Sequence, residues 1–258
     1  MRKCVVLFSL VVLIVSQISR AAGPADVFEA RVFRDAAGKP LPYRLLRPEA
    51  YDAAKCYPLL LFFHGAAERG NDNVRQLAKG VTVFAREENR KNFPCFVIVP
   101  QCDPGSQWAD TPMSGDAHIQ SEKPTEPLHL SMELLAALKK EFNVDSKRIY
   151  VAGVSMGGFG VWDAITRYPD VFAAAIPVCG GADENKAPVV AKLPIWAFHG
   201  EQDTVVKTNR TRHIIDAIKK AGGTPKYTEY PSAGHEIWMR AFNEPEVMEW
   251  LFSQKKQS

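Results

Sequence analysis

The sequence predicts an α/β fold, a mostly parallel sheet of about eight strands with helices on both faces. Three observations point there. Continuous apolar runs of strand length recur along the chain and suit strands buried on both faces. Stretches with helical spacing alternate with those runs. A pair of short alternating segments near the N-terminal side reads as an antiparallel hairpin.

Taken in order, residues 28–33 and 43–46 alternate and are joined by Asp35-Ala-Ala-Gly-Lys-Pro40, a stretch rich in turn formers. The apolar runs follow at 58–63, 95–99, 149–152, 172–178 and 195–198, and 227–230 is a last strand candidate. Helices are expected over 130–142, 159–168, 210–221 and 244–252. The longest irregular stretch, 101–127, carries Pro104, Gly105, Pro112, Gly115, Pro124 and Pro127. A loop of that length after a strand end is expected to shape a substrate pocket. No blade-length repeat accompanies these elements, which excludes a propeller, and no large cap domain is expected. No linker divides residues 22–258, so one catalytic domain is expected there.

The 258 residues are 46% hydrophobic and 24% charged, with a formal charge of +3. This composition excludes a disordered chain, a collagen-like repeat and a disulfide-dense miniprotein. The charge is concentrated at the start. Arg2 and Lys3 precede an apolar run over 5–14 broken only by Ser9, and a polar stretch over 16–20 ends it. That is the layout of a secretory signal peptide over 1–21, with Ser19 and Ala21 as the small residues of a cleavage site after Ala21. The run is shorter than the ~18 apolar residues that span a bilayer, so no permanent membrane anchor is expected. The mature chain is expected to be secreted or periplasmic. Three of the 32 basic residues (Arg2, Lys3 and Arg20) belong to this leader, and 29 residues are acidic, so the mature chain is formally neutral. Composition therefore supplies no argument for a nucleic-acid partner.

Beyond the leader stand Cys56, Cys95, Cys102 and Cys179. An even number in an oxidising compartment allows three full pairings, and unpaired thiols fit equally. Cys56 and Cys95 each stand at a strand entry and would be neighbours if those strands pair. None has a CxxC or Cys/His spacing, so no metal site is expected.

The sharpest motif is Gly153-Val-Ser-Met-Gly157. It directly follows the strand at 149–152 and opens the helical segment at 159–168, the strand, tight turn and helix of a nucleophile elbow. The turn is too tight for side chains two residues either side of the serine, which Gly153 and Gly157 remove. Helix capping by Ser155 would not demand both glycines. A serine hydroxyl needs a histidine to take its proton and an acid to fix the tautomer of that histidine. Of six histidines, His235 lies between the last strand candidate and the last helix, where the base belongs when the order is serine, acid, histidine. His118, in the long irregular stretch, is its rival. Asp203, just past the strand at 195–198, has room to reach the histidine loop; Asp183, after the preceding strand, competes with it. The oxyanion needs preorganised N–H donors. Met156 supplies one and Ala66, in the loop after the strand at 58–63, the other, with Gly65 or Ala67 as alternatives one residue away. Trp108, Phe159 and Trp238 are candidate pocket residues.

Together His64-Gly-Ala-Ala-Glu-Arg-Gly-Asn-Asp-Asn73, Gly153-Val-Ser-Met-Gly-Gly-Phe-Gly160, Gly200-Glu-Gln-Asp203 and Gly234-His-Glu236 resemble a secreted α/β-hydrolase of the phospholipase/carboxylesterase and feruloyl-esterase-like group. They are also similar to catalytic domains of prolyl oligopeptidase type. The resemblance spans roughly residues 28–252. It implies the α/β-hydrolase fold, with Ser155 as nucleophile, Asp203 as acid, His235 as base, and Ala66 and Met156 as oxyanion donors. Dienelactone hydrolases share the fold but use cysteine as nucleophile, so Ser155 argues against that branch. A propeller normally precedes the prolyl oligopeptidase branch, so a small serine peptidase is the weaker reading. A non-catalytic binding domain on this scaffold would lack a triad member, and none is missing. The expectation is a serine carboxylesterase acting on small-molecule or polysaccharide-linked esters, without cofactor.

Overall fold

The computed structural model describes Gly23 and residues 25–256. The leader expected over 1–21 lies outside the described residues.

Eight strands form one sheet in the order β1-β2-β4-β3-β5-β6-β7-β8. The strands are β1 (Glu29–Arg34), β2 (Pro40–Leu46), β3 (Tyr57–Phe63), β4 (Phe96–Pro100), β5 (Val144–Val154), β6 (Ala174–Val178), β7 (Trp196–Gly200) and β8 (Lys226–Tyr230). The first two form an antiparallel hairpin from Glu29↔Leu45 to Arg34↔Pro40, and β2 also runs antiparallel to β4. All later pairings are parallel. The hairpin turn uses Gly38 at φ 82°, and Asp35 accepts from the Lys39 amide there.

All seven residues of β3 are buried. Leu59, Leu61 and Phe63 pack into one apolar cluster, while Leu60 and Phe62 pack into another on the opposite face. That alternation is the two-residue period of a strand covered on both sides. Helices α2 (Glu126–Glu141), α3 (Met156–Arg167), α4 (Ala187–Val190) and α5 (Asn209–Lys220) contribute to the first cluster. The second is closed by α6 (Trp238–Phe242), α7 (Val247–Ser253) and single turns between Leu77 and Ala85. The remaining helix, α1 (Glu87–Asn92), has no buried residue.

Among the boundaries that differ from the sequence expectation, three have a local cause. The strand at 149–152 begins earlier, because Val144 pairs with Tyr57 before a register shift leads to Leu59↔Ile149. The helix at 130–142 starts at Glu126, with Pro127 in its first turn, where a missing N–H costs nothing. The helix expected over 244–252 starts only at Val247, after Pro245 and Glu246 at φ 70°, and the separate short helix α6 ends before it at Phe242.

The four cysteines beyond the leader are unpaired: Cys56 is exposed, and Cys95, Cys102 and Cys179 are buried. Cys56 instead donates to Asn143 Oδ1 at 3.0 Å. Burial pushes the Cys95 and Cys102 thiols up to about 12.

Candidate active site

The parallel strands deliver their C-terminal ends to one edge, and the chain turns there three times to build the site. At the first turn β5 passes directly into α3 through Ser155, which sits at φ 55°, ψ −118°. A non-glycine residue in that region costs about 1–3 kcal/mol and persists only where its surroundings enforce it. Two features enforce it here. The Ser155 amide donates to Val178 O on β6 at 2.8 Å. The helix backbone also lies hard against β3: a Cβ on Gly157 would sit 2.0 Å from Phe63 O, and one on Gly153 would sit 2.5 Å from Gly157 O. Both glycines are therefore required by backbone packing between elbow and strand, rather than by contact with the serine side chain.

The second turn follows β7. Asp203 is held at Oδ1 by the amides of Val205 (2.8 Å) and Val206 (2.9 Å). Its Oδ2 lies 2.6 Å from His235 Nδ1 and 3.1 Å from His199 Nε2. The third turn, between β8 and α6, carries His235, whose Nε2 lies 2.8 Å from Ser155 Oγ. A carboxylate facing Nδ1 requires the proton there, which leaves Nε2 to accept from the serine hydroxyl. The arrangement can move one proton away from Ser155 Oγ and hold the resulting imidazolium against a carboxylate. Burial works against the charge on Asp203, but hydrogen bonds from His199, His235 and the Val206 amide outweigh it and hold the carboxyl well below the usual range.

The loop after β3 reaches the same place. A Cβ on Gly65 would lie 3.7 Å from Ser155 Cβ, so this backbone runs directly past the serine. Among the described residues, neither the Ala66 nor the Met156 amide has an acceptor, and both are free to donate elsewhere. The loop is held from beneath by His64. Its Nδ1 lies 2.7 Å from Gly65 O, and its Nε2 accepts from the Cys102 amide at 3.0 Å. Burial lowers its pKa to about 4, so the ring is neutral.

Trp108 does not line an open pocket. It is fully buried, packs tilted against Phe63 with ring centroids 4.7 Å apart, and donates its indole N–H to His64 O at 3.0 Å, so it braces the loop from inside. Phe159 forms a small apolar cluster with Ala109 and Val206, and Trp238 packs edge-on to the His235 ring at 5.9 Å. Both stay next to Ser155 and His235. The stretch 101–127 is tied down by side chains from the helices. Arg210 donates to Gly115 O (2.7 Å) and lies 2.5 Å from His118 Nδ1, while Arg167 donates to Ser121 O (2.6 Å). The rival His118 is thereby engaged by Arg210. Asp183 accepts from Gln120 and Asn185 and makes no hydrogen bond to His235. A groove of about 1050 Å³ lies at the opposite edge, past Lys192, Lys226 and Lys256, away from the chemistry.

Sequence reasoning missed His199, whose signal was its place four residues before Asp203, and it missed the role of His64 beneath the loop.

The family model that matches is that of the dienelactone hydrolase family, over residues 96–249. A bifunctional acetylxylan esterase/xylanase of Neocallimastix patriciarum is 31% identical over 184 residues, covering 68% of this chain and 24% of that protein. Feruloyl esterase B of Piromyces equi is 29% identical over 170 residues, covering 63% of this chain and 29% of that protein. The chain thus spans about a quarter of the length of these curated relatives. Among solved structures, a thermostable esterase is 37% identical with TM-score 0.83, covering 90% of this chain and 64% of the other. A feruloyl esterase module of Clostridium thermocellum, at 13% identity and TM-score 0.67, covers 93% of this chain and 92% of that one and shares the fold. The expectation that Ser155 sets the chain apart from the cysteine-bearing branch is overturned, because one elbow residue weighs less than a match over more than half of the sequence. The chain belongs to the dienelactone hydrolase family, with serine at position 155.

Proposed function

We propose that this protein is an exported serine hydrolase of carboxylic esters. The observation that carries the reading is the unbroken line from Ser155 Oγ to His235 Nε2 (2.8 Å) and from His235 Nδ1 to Asp203 Oδ2 (2.6 Å). His235 takes the hydroxyl proton as Ser155 Oγ attacks the ester carbonyl, and returns it to the alcohol oxygen as the C–O bond breaks. Water then attacks the acyl-enzyme, giving one proton to His235 and releasing the acid, and that proton restores the Ser155 hydroxyl. The Ala66 and Met156 amides face the developing oxyanion, each worth about 2.7–4 kcal/mol. Phe159 and Trp238 border the acyl and alcohol groups. Every step uses side chains and backbone of this chain together with water, and requires no cofactor.

The named activities of the relatives support esters linked to a polysaccharide or to a small alcohol. Export rests on residues 1–21, and no described helix is long and apolar enough to cross a membrane. A panel of aryl esters with increasing acyl length, run beside aminoacyl amides and a Ser155→Ala control, tests the reading. Ester turnover that disappears in the control is expected. Amide turnover comparable to that of the esters would favour the peptidase alternative instead.

A further inference from the structure

Two imidazoles converge on one oxygen of Asp203. His199, the fourth residue of β7, is fully buried, and its Nε2 lies 3.1 Å from Asp203 Oδ2 and 3.0 Å from Val206 O. Both neighbours are acceptors, so Nε2 carries a proton. On the other side of the ring, Nδ1 lies 2.7 Å from Thr211 Oγ1 on α5, and that hydroxyl is 2.8 Å from Gly180 O. The ring is therefore clamped between β7, α5 and the acid loop, with its N–H aimed at the oxygen that His235 uses.

We infer that His199 is a positioning residue for the triad, whose N–H shares Asp203 Oδ2 with His235 and so limits how strongly Asp203 raises the basicity of His235. This rests on the triad reading above. A hydrogen bond to a carboxylate draws off part of its charge. Each donor on Oδ2 thus leaves less negative charge to stabilise the imidazolium that forms on the other. His199 is also a second donor on Asp203 Oδ2, which helps hold the carboxylate in place for Nδ1 of His235. The other titratable groups facing this cluster are compensated or neutral. Burial holds the Cys179 thiol far above its ordinary pKa at the end of β6. Glu229 on β8 is paired with Arg212 at 2.5 Å and accepts from Tyr227 at 2.6 Å. Beyond Trp238, Glu68 and Lys79 pair with each other at 3.2 Å.

The test is the pH dependence of kcat/KM for p-nitrophenyl acetate in the wild type, His199→Phe and His199→Gln. Phenylalanine keeps the ring and removes the donor; glutamine retains an N–H that can reach Oδ2. The acid limb of His199→Phe is expected to move up by about one pH unit, with KM within about twofold of wild type because His199 touches no substrate. In His199→Gln the limb is expected to stay near the wild-type position. An unshifted limb in folded His199→Phe overturns the inference. Should that variant fail to fold, Thr211→Val removes the hydroxyl that clamps Nδ1 and Thr211→Ser retains it; an upward shift in the first alone supports the inference, and none in either overturns it. Activity that survives Ser155→Ala would instead sink the triad reading itself, so the two failures are distinguishable.

Discussion

Lowering the pH from 7 to 5 should weaken the fold through His64. Burial is the main reason its pKa falls from 6.5 to about 4 in the folded protein; the Gly65 carbonyl at Nδ1 opposes this, and nearby Arg69 adds to it. Protonation of Nε2 would also turn the acceptor of the Cys102 amide into a donor facing a donor. The unfolded chain takes up its proton near 6.5, whereas the folded chain resists until about 4. Across that window the unfolded state binds more protons, so stability is full above it and is lost as the pH falls. The whole displacement corresponds to about 3 kcal/mol, of which about 2 kcal/mol is gone by pH 5. Urea unfolding of wild type and His64→Asn at both pH values isolates this contribution, because asparagine can still donate to Gly65 O and does not titrate. Wild type is expected to lose about 2 kcal/mol more than the variant between pH 7 and pH 5. Equal losses in the two proteins would refute the reasoning.

Two further outcomes follow from the same geometry. Gly157→Ala places a Cβ 2.0 Å from the backbone oxygen of Phe63 in a central strand, and a Tm lowered by about 10 °C is expected in thermal unfolding. Arg210→Met preserves much of the buried bulk but releases Gly115 O and His118, so limited proteolysis within 101–127 is expected to run about tenfold faster, with far-UV dichroism unchanged.

The central strands were legible because they are covered on both faces: the runs at 58–63 and 195–198 contain little but apolar residues, and the structure places strands there. The polar start of β5 was hidden, because Asp145, Ser146, Lys147 and Arg148 carry no apolar signal and the strand is defined by pairing alone. The last helix was read from 244 because its apolar spacing crosses Pro245, and its later start at Val247 comes from backbone restriction that periodicity ignores. At the site, Ser155, Asp203 and His235 could be singled out because chain order and loop position restrict where each can stand. The distances that join them are tertiary facts. Trp108 was assigned to a pocket wall on residue type, yet its indole N–H finds His64 O inside the protein. The spacing of His199 to Asp203 was visible in the sequence but its contacts were not, and Arg210 gave no signal, since each acts through a side chain brought near only when β7 and α5 pack.

The central claim is that Ser155 is a nucleophile activated by His235. A fluorophosphonate probe added to the folded wild-type protein, followed by peptide mass mapping, tests it most directly. One phosphonate per chain, on Ser155, with none on Ser155→Ala and slowed labelling of His235→Ala, is the result predicted. Folded wild-type protein that stays unlabelled, or a Ser155→Ala protein that labels as fast as wild type, would contradict it.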